Sequence, residues 1–559
     1  MKANGLLNRY FFFIAAAIYA IVYLVYFSQH LHLSILPGQF DSWLNLAILK
    51  DYANIIDHFV LGTPLSTANF PEGKIFLYGE ASFLSAPFYW LLLKLTQNDF
   101  TAFIGMYVLV YTVNSISLAY FVSKFCRVSL PVAFLSGLVF SFSAFNLGLQ
   151  DNITYCIFFP AFAGLYCLEL WLERDTRYLF YGAVLCFGLQ IYFSVYNFFI
   201  GLLIVLTWFL IKPVWVKTNF RLLMPSALLM IILISPFIYL FGLHNPTAGY
   251  RNFISLEIID HLGFNFADLS RSFSSNFIYG RFFPVQKPPS DYWHVGNLGI
   301  LSSVFALVGV ILAPKRIRFF IVLLVLISVL FAFGPYYGNA NIKSPLYYLY
   351  LIAPFLENFK LIFKFYYLIV FGFVMAYTFF LKAMLTYTGN FWFRQVVVLL
   401  PVILFLVENV PLNRIEEGGQ FKILSLDQKE LSELRRPTCS AMILPAYTPT
   451  LPNGNNECFA QGRLMEYKYY YLQAHYQFNL INGSNLFIPA NRQIVQNILD
   501  KNNLSTALSV LQNKFSITAI LFDKTSPLKC GFANKDSLAA EFRVSSEYAD
   551  HIYFKRSAN

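Results

Sequence analysis

The sequence predicts a polytopic α-helical membrane protein of about eleven transmembrane helices, carrying a small extracytoplasmic α/β domain at its C-terminal end. Three observations lead there. The 559 residues are 57% hydrophobic and only 12% charged, with a mean hydropathy of +0.56, which lies outside the range of soluble domains. Apolar windows long enough to cross a bilayer recur from the N-terminus to about Pro411. Beyond Asn413 the chain turns mixed and polar, with β-prone runs at 440–445 and 517–523 around a helical stretch, 492–513.

Taken in order, the windows lie near 10–28, 102–123, 129–148, 153–172, 178–192, 196–211, 221–243, 297–313, 318–334, 360–381 and 395–411. Met1–Tyr10 is a short basic start and no small-residue cleavage site follows the first window, so that helix is expected to stay as a start-transfer anchor. With the N-terminus in the cytoplasm, the inside loops hold Lys124 and Arg127, Arg174 and Arg177, and Lys212, Lys217 and Arg221. Lys315, Arg316 and Arg318, then Lys382 and Arg394, complete the series. Every inside loop is basic, as the positive-inside rule requires. The assignment holds only if 78–95 is an interfacial or re-entrant helix, since a crossing there would turn every later loop outward. The net charge of +11 is thereby read as topology, and no nucleic-acid partner is expected. Aromatic residues, 19% of the chain, suit interfacial belts and could equally line a groove for a sugar or a lipid. The expected location is the inner (cytoplasmic) membrane.

This topology puts the loop 29–101, the turn Leu149–Asn152, the loop 244–295 and everything after Pro411 on the outer face. The expected domains are a membrane domain, 1–411, and a soluble domain, 412–559. The first outer loop carries an acid, Asp41, opening the amphipathic stretch Trp43, Leu44, Leu46, Ile48 and Leu49, and later the turn Phe70–Lys74 (FPEGK). A carboxylate on interfacial helices reads as part of the roof of an active site. Asp41 could cap the helix that follows, act as a general base, or bind a divalent cation. Asp151, in LGLQDNITY, offers the same choice between cap and function at another outer junction. Glu72 and Glu80 lie in the same roof, where solvation is the simpler reading.

Other features are weaker. The run Gln190, Tyr192, Ser194, Tyr196 and Asn197 reads as a polar aromatic bend facing the outer cavity, or as a kinked packing interface. The segment 336–358 is too interrupted by polar residues and proline to span easily, and reads as an outer loop with a re-entrant helix. Lys360 and Lys364 open the next helix on one face, either reaching to lipid headgroups or holding a ligand phosphate. Loop 244–295 adds Arg251, Arg271, Arg281 and Lys287, which can grip phosphate or simply be solvated. All eight histidines, His58 and His294 among them, fall on the outer side. None shows HxxH or HExxH spacing, so no metal site is assigned. Cys126, Cys156, Cys167 and Cys186 read as packing residues; Cys439 and Cys458 could form a disulfide in an oxidising compartment, leaving Cys530 unpaired.

The arrangement resembles the GT-C superfamily of integral-membrane glycosyltransferases, in particular its bacterial YfhO-like branch. The resemblance rests on FDSW and FPEG in a long first outer loop, LQDN after the third span, YWHVGNLGIL before a mid-chain helix, SPLYYLYLIAPFLENFKLIFKFYY, and an outer C-terminal domain. It implies transfer of a sugar from a polyprenyl-phosphate donor to a glycan, lipid or protein acceptor on the outer face, with inversion. Asp41 would be the general base and Asp151 would orient hydroxyls. Lys360, Lys364, Arg251 and Arg271 would meet the donor phosphate, with Glu80, His58 and His294 as further candidates. Relatives often carry a paired-acid motif where Asp41 stands alone between Phe40 and Ser42, which leaves the need for a divalent cation open. A competing reading is a non-enzymatic protein that binds or moves a polyprenyl-linked glycan. A transporter is disfavoured by the lack of an inverted repeat and of mid-membrane ionisable residues, Glu169 and Glu408 lying near span ends.

Overall fold

The computed structural model describes residues 2–33, 35–37, 41–61, 83–212, 220–239, 295–336, 343–352, 362–387, 391–411, 426–436, 441–444, 468–476, 517–524, 542–548 and 550–556, together with isolated positions between 260 and 279 and at 480, 506 and 510. The described chain is helical apart from one small sheet. In order the helices are α1 (Lys2–Leu33), α2 (Asp41–Leu61), α3 (Ala86–Thr96), α4 (Asp99–Phe125), α5 (Leu130–Ser141), α6 (Ala144–Gly148), α7 (Phe159–Arg174), α8 (Arg177–Gln190), α9 (Val195–Ile211) and α10 (Phe220–Phe237). Then come α11 (Ile300–Leu312), α12 (Lys315–Ala332), α13 (Pro345–Ile352), α14 (Tyr367–Tyr387), α15 (Phe391–Asn409), α16 (Gln428–Leu434) and α17 (468–476).

Each of the eleven apolar windows carries a helix. Among the described residues five helices are long and apolar enough to cross a membrane, six if the bent pair Leu130–Ser141 and Ala144–Asp151 counts as one span. The chain is an integral membrane protein. The bend of 42° has a local cause: Ser143 leaves helical geometry and its hydroxyl caps the Asn146 amide, so the helix restarts there. By contrast α3 has 11 residues, about 16 Å of helix, roughly half of what a bilayer core demands.

The chain divides into two compact units. The first comprises Met1–Gln29, Tyr107–Phe237 and Asn252–Glu416. Its axis is α14, buried from Tyr367 to Leu381 apart from Ile369, which packs against α5, α11, α12 and α15. Helices α10 and α11 turn Leu223, Leu228, Ile231, Val304, Leu307 and Ile311 outward, an apolar surface suited to lipid. Helices α11 and α14 approach closely at Gly309, where any side chain would run into the Ala376 carbonyl.

The second unit comprises His30–Met106, Ile238–Arg251 and Glu417–Asn559. Its sheet has strand order β1 (Ala441–Leu444), β2 (Ala519–Asp523), β4 (His551–Arg556), β3 (Phe542–Glu547). Strands β1 and β2 run parallel, the other pairs antiparallel, with a register shift between Val544 and Ser546. The two β-prone runs of the sequence thus form β1 and β2, and every residue of β2 is buried. Leu431 and Leu434 of α16, Tyr469 and Leu472 of α17, and Ile443, Leu521 and Tyr553 of the sheet share one apolar core. Of the expected helix 492–513 only Thr506 and Val510 are described, both helical; the three tail cysteines lie outside the described residues.

Candidate functional site

In the first unit, α6 is followed by two 3-10 turns, Leu149–Asp151 and Ile153–Cys156. These turns are short of regular backbone partners, and amide side chains supply them. Asn197 Nδ2 donates to the carbonyls of Thr154, Tyr155 and Ile157 at 3.2, 2.9 and 2.9 Å. Gln190 Nε2 donates to Ile157 at 2.9 Å, and Asn114 Nδ2 to Cys156 at 2.5 Å. Asn152 caps the second turn by accepting from the Thr154 amide, while Tyr107 donates to the Gln150 carbonyl at 2.6 Å. Buried backbone polar groups need such partners. Here six long-range side-chain bonds fix the loop that carries Asp151, itself buried.

Lys364 lies in a third 3-10 turn, Ile362–Tyr366, just before α14. The expected α-helical setting of Lys364 is therefore corrected: among the described residues of this segment α-helical geometry begins at Tyr367, and Lys364 lies in the tighter 3-10 turn before it. Lys360 itself lies outside the described residues. Lys364 is 0% exposed, so its ammonium does not reach outward to headgroups. It sits 2.9 Å from the ring centroid of Tyr155 and 3.6 Å from that of Tyr196, a cation held between two aromatic faces in a dry setting. Tyr155 belongs to the turn after Asp151, and Tyr196 opens α9 just beyond the break at Ile191–Ser194. The structure thus brings the turns of Asp151 and Lys364 together through Tyr155.

Two residues past Lys364, Tyr366 donates to the Gly296 carbonyl at 2.6 Å and lines a cavity of about 1090 Å³ between α11, α12 and α14. Its walls are largely apolar, with Ala306, Val310, Ile321, Val325 and Phe373, and its polar rim is made by Tyr279, Asn297 and Ser303. Glu408 anchors that end of α11. One carboxylate oxygen accepts from Tyr279 Oη at 2.6 Å and the Leu301 amide at 3.0 Å, the other from the Ser302 amide at 2.9 Å and hydroxyl at 2.6 Å. A carboxylate at a helix N-terminus meets both orphan amides and the positive end of the dipole.

Asp41 belongs to the second unit. It is the first residue of α2 and its carbonyl accepts from Asn45 Nδ2 at 2.6 Å. The run Asp41–Leu49 is buried throughout, so this stretch is enclosed on both faces where the sequence suggested an amphipathic one. Only the far end of α2 is open, at Phe59, Val60 and Leu61. His58 lies there against Phe59, about 25 Å along the helix from Asp41. Arg251, Arg271, Glu80 and His294 lie outside the described residues. Among the described residues no three His, Cys, Asp or Glu side chains come together in a way that could hold a metal ion.

Sequence reasoning did not single out Asn114, Asn146 or Tyr155, nor the bonds made by Glu408. The polar aromatic bend at Gln190–Asn197 was visible, and the structure makes it a packing interface: Gln190 and Asn197 hold the Asp151 loop and Tyr196 faces Lys364.

No protein-family model matches the sequence, and no curated protein matches it. Among solved structures, the chain is similar to the arabinofuranosyltransferase AftD from Mycobacteria, with a TM-score of 0.56 at 10% identity, over 99% of this chain and 42% of that one. It aligns with the apo oligosaccharyltransferase of Archaeoglobus fulgidus at a TM-score of 0.43 and 11% identity, over 92% of this chain and 70% of that one. With ArnT from Cupriavidus metallidurans the TM-score is 0.36 at 9% identity, over 99% and 98% of the two chains. The chain spans less than half the length of the arabinofuranosyltransferase. The likeness to that protein is one of fold, and the chain adopts the GT-C fold.

Proposed function

We propose that this GT-C-fold membrane protein is a glycosyltransferase that moves a sugar from a polyprenyl-phosphate donor to a glycan, lipid or protein acceptor on the extracytoplasmic face, with inversion. The observation that carries the reading is the pairing, within one unit, of a buried ammonium at Lys364 with a large apolar cavity lined two residues later by Tyr366. A lipid phosphate needs both a cation for its head and a dry channel for its chain. The cavity slightly exceeds the roughly 300–1,000 Å³ usual for small-molecule sites.

In this proposal the Asp41 carboxylate takes the proton of the acceptor hydroxyl as its oxygen attacks the anomeric carbon. The bond from that carbon to the phosphate oxygen breaks on the opposite face, and polyprenyl phosphate leaves with the electron pair. Lys364, with Lys360, Arg251 and Arg271, offsets the charge that grows on the leaving phosphate, a contribution largest in the transition state. Asp151, on its fixed loop, orients hydroxyls of sugar or acceptor. Glu80 and His294 remain further candidates; His58, at the far end of α2, has no part in the scheme. The extracytoplasmic assignment follows from the basic inside loops, and the C-terminal segment 412–559 is placed on the same face.

The test is transfer of radiolabelled sugar from a panel of polyprenyl-phosphate donors by wild type and Asp41→Asn, each with and without a chelator. Wild-type transfer that falls by about 100-fold or more in the variant supports the base assignment. Equal behaviour of the two proteins, with donor still bound, sinks it and favours a carrier of lipid-linked glycan.

A further inference from the structure

We propose that the tail helix α17 is a positioning element for α2, the helix that begins with Asp41, and that it acts through the carboxylate of Asp99. Both helices and Asp99 belong to the second unit, so the observation concerns one compact body.

The sequence of α17 is KYYYLQAHY, and helical spacing divides it between two surroundings. Tyr469 and Leu472 enter the core of the sheet, with Tyr476 against it. Tyr470, Tyr471, Ala474 and His475 face the other way. There Asp99 collects four donors from three helices. Its Oδ1 accepts from Lys50 Nζ of α2 at 2.9 Å and from Tyr89 Oη of α3 at 3.3 Å. Its Oδ2 accepts from Tyr471 Oη at 2.8 Å and from His475 Nδ1 at 2.6 Å. A carboxylate has about four acceptor sites, and all of them are used. Such charge-assisted bonds are short and directional when buried.

Further contacts tie α17 along α2. Tyr470 donates to Asp51 Oδ2 at 3.2 Å, and Asn54 Nδ2 donates to the Ala474 carbonyl at 2.6 Å. The Tyr471 ring meets Trp43 edge-on at 5.6 Å, and Lys468 Nζ lies 5.3 Å from the Trp43 ring centroid. Trp43 is two residues from Asp41. One short helix therefore holds Trp43, Asp51 and Asn54 directly, and Lys50 through Asp99, positions spread over three turns of α2. A general base displaced by about 1 Å loses on the order of 100-fold in rate. The tail thus does more than decorate the sheet: it sets the register of the helix from which Asp41 projects.

The kinetic part of this proposal rests on Asp41 being the base; the docking part does not. The experiment uses the full-length protein in detergent or nanodiscs, comparing wild type, Tyr471→Phe, His475→Gln and the double variant Tyr471→Phe/His475→Leu. Amide hydrogen exchange is followed over 41–61 and, as an internal reference, over 367–387. In the double variant exchange over 41–61 is expected to rise about tenfold with the reference unchanged. Its kcat should fall on the order of 100-fold at an unchanged donor KM, with His475→Gln, which keeps a donor, recovering part of the loss. Unchanged exchange over 41–61 overturns the proposal. Faster exchange with unchanged kcat overturns the positioning role and leaves α17 a structural prop. Should the double variant unfold, Tyr471→Phe, which removes a single oxygen, is judged by the same two readouts. Absence of transfer by wild type sinks the glycosyltransferase reading, while the exchange result still decides whether α17 holds α2.

Discussion

Lys364 concentrates the residue-scale chemistry. Its ammonium is buried between two tyrosine rings, a setting of low dielectric in which it acts strongly on a charge growing nearby. Lys364→Met is expected to lower kcat/KM for a lipid-phosphate donor by about 100-fold, measured by transfer of labelled sugar. A different logic applies to Asp51. Burial pushes its carboxyl up to about 7 against the counteracting bond from Tyr470. A folded-state value above the unfolded one means that the proton stabilises the fold. The contribution is full below the ordinary carboxylate range and fades as pH rises through about 7. Thermal unfolding followed between about pH 4 and pH 8 should show stability falling with pH in wild type and a flatter profile in Asp51→Asn. At Gly299 the backbone has a φ of +88° and a side chain would overlap the Glu408 carboxylate. Gly299→Ala is expected to cost about 1–3 kcal/mol, read as a lowered melting temperature. At this scale the sequence revealed Asp41, because Asp before SWLNLAIL is a helix start. The burial of Lys364 was not legible: its setting is made by Tyr155 and Tyr196, remote in the chain and ordinary in any aromatic-rich span.

Elements were easier to read where periodicity or apolar length speaks for itself. The eleven windows carry helices, and ITAILFD becomes a strand because its apolar centre, Ala519–Phe522, suits a position covered on both faces. The strands FRVSSE and HIYFKR escaped notice since their pairing, not their composition, makes them strands. So did α17, whose tyrosines are buried on two sides and show no single apolar stripe. His551 joins these pieces. Burial alone would lower its pKa, but bonds to Glu430 and Asp550 prevail and raise it above 6.5. Glu430 also completes the capping box of α16 with Asp427. A raised histidine stabilises fully below its unfolded value and loses that effect as pH climbs through the folded one. The domain should accordingly weaken above neutrality, and His551→Gln should abolish that dependence; hydrogen exchange in β2 and β4, compared at about pH 6 and pH 8, checks it.

For the molecule as a whole, the composition shift near Pro411 marks where membrane-like sequence ends. It does not say what the tail packs on. The second unit gathers His30–Met106 with Glu417–Asn559, a grouping that depends on contacts between residues hundreds of positions apart. Deleting residues 417–559 removes Tyr470, Tyr471 and His475 from α2 and Asp99. The truncated protein is expected to be cut by protease within 41–61 under conditions where the full chain resists, with fragment mapping by mass spectrometry as the measure.

The bond between His475 and Asp99 joins positions 376 residues apart. A ribosome adding roughly 5–20 residues per second needs on the order of 20–75 s to travel that distance. During this interval the nascent chain has threaded its early helices into the membrane while α2 still lacks its clamp. Maturation is thus ordered in time: insertion comes first, and the segment bearing Asp41 is secured only when synthesis has passed position 475. A ribosome that stalls before that point leaves an inserted but unclamped protein, a state that quality-control proteases can distinguish from the finished one.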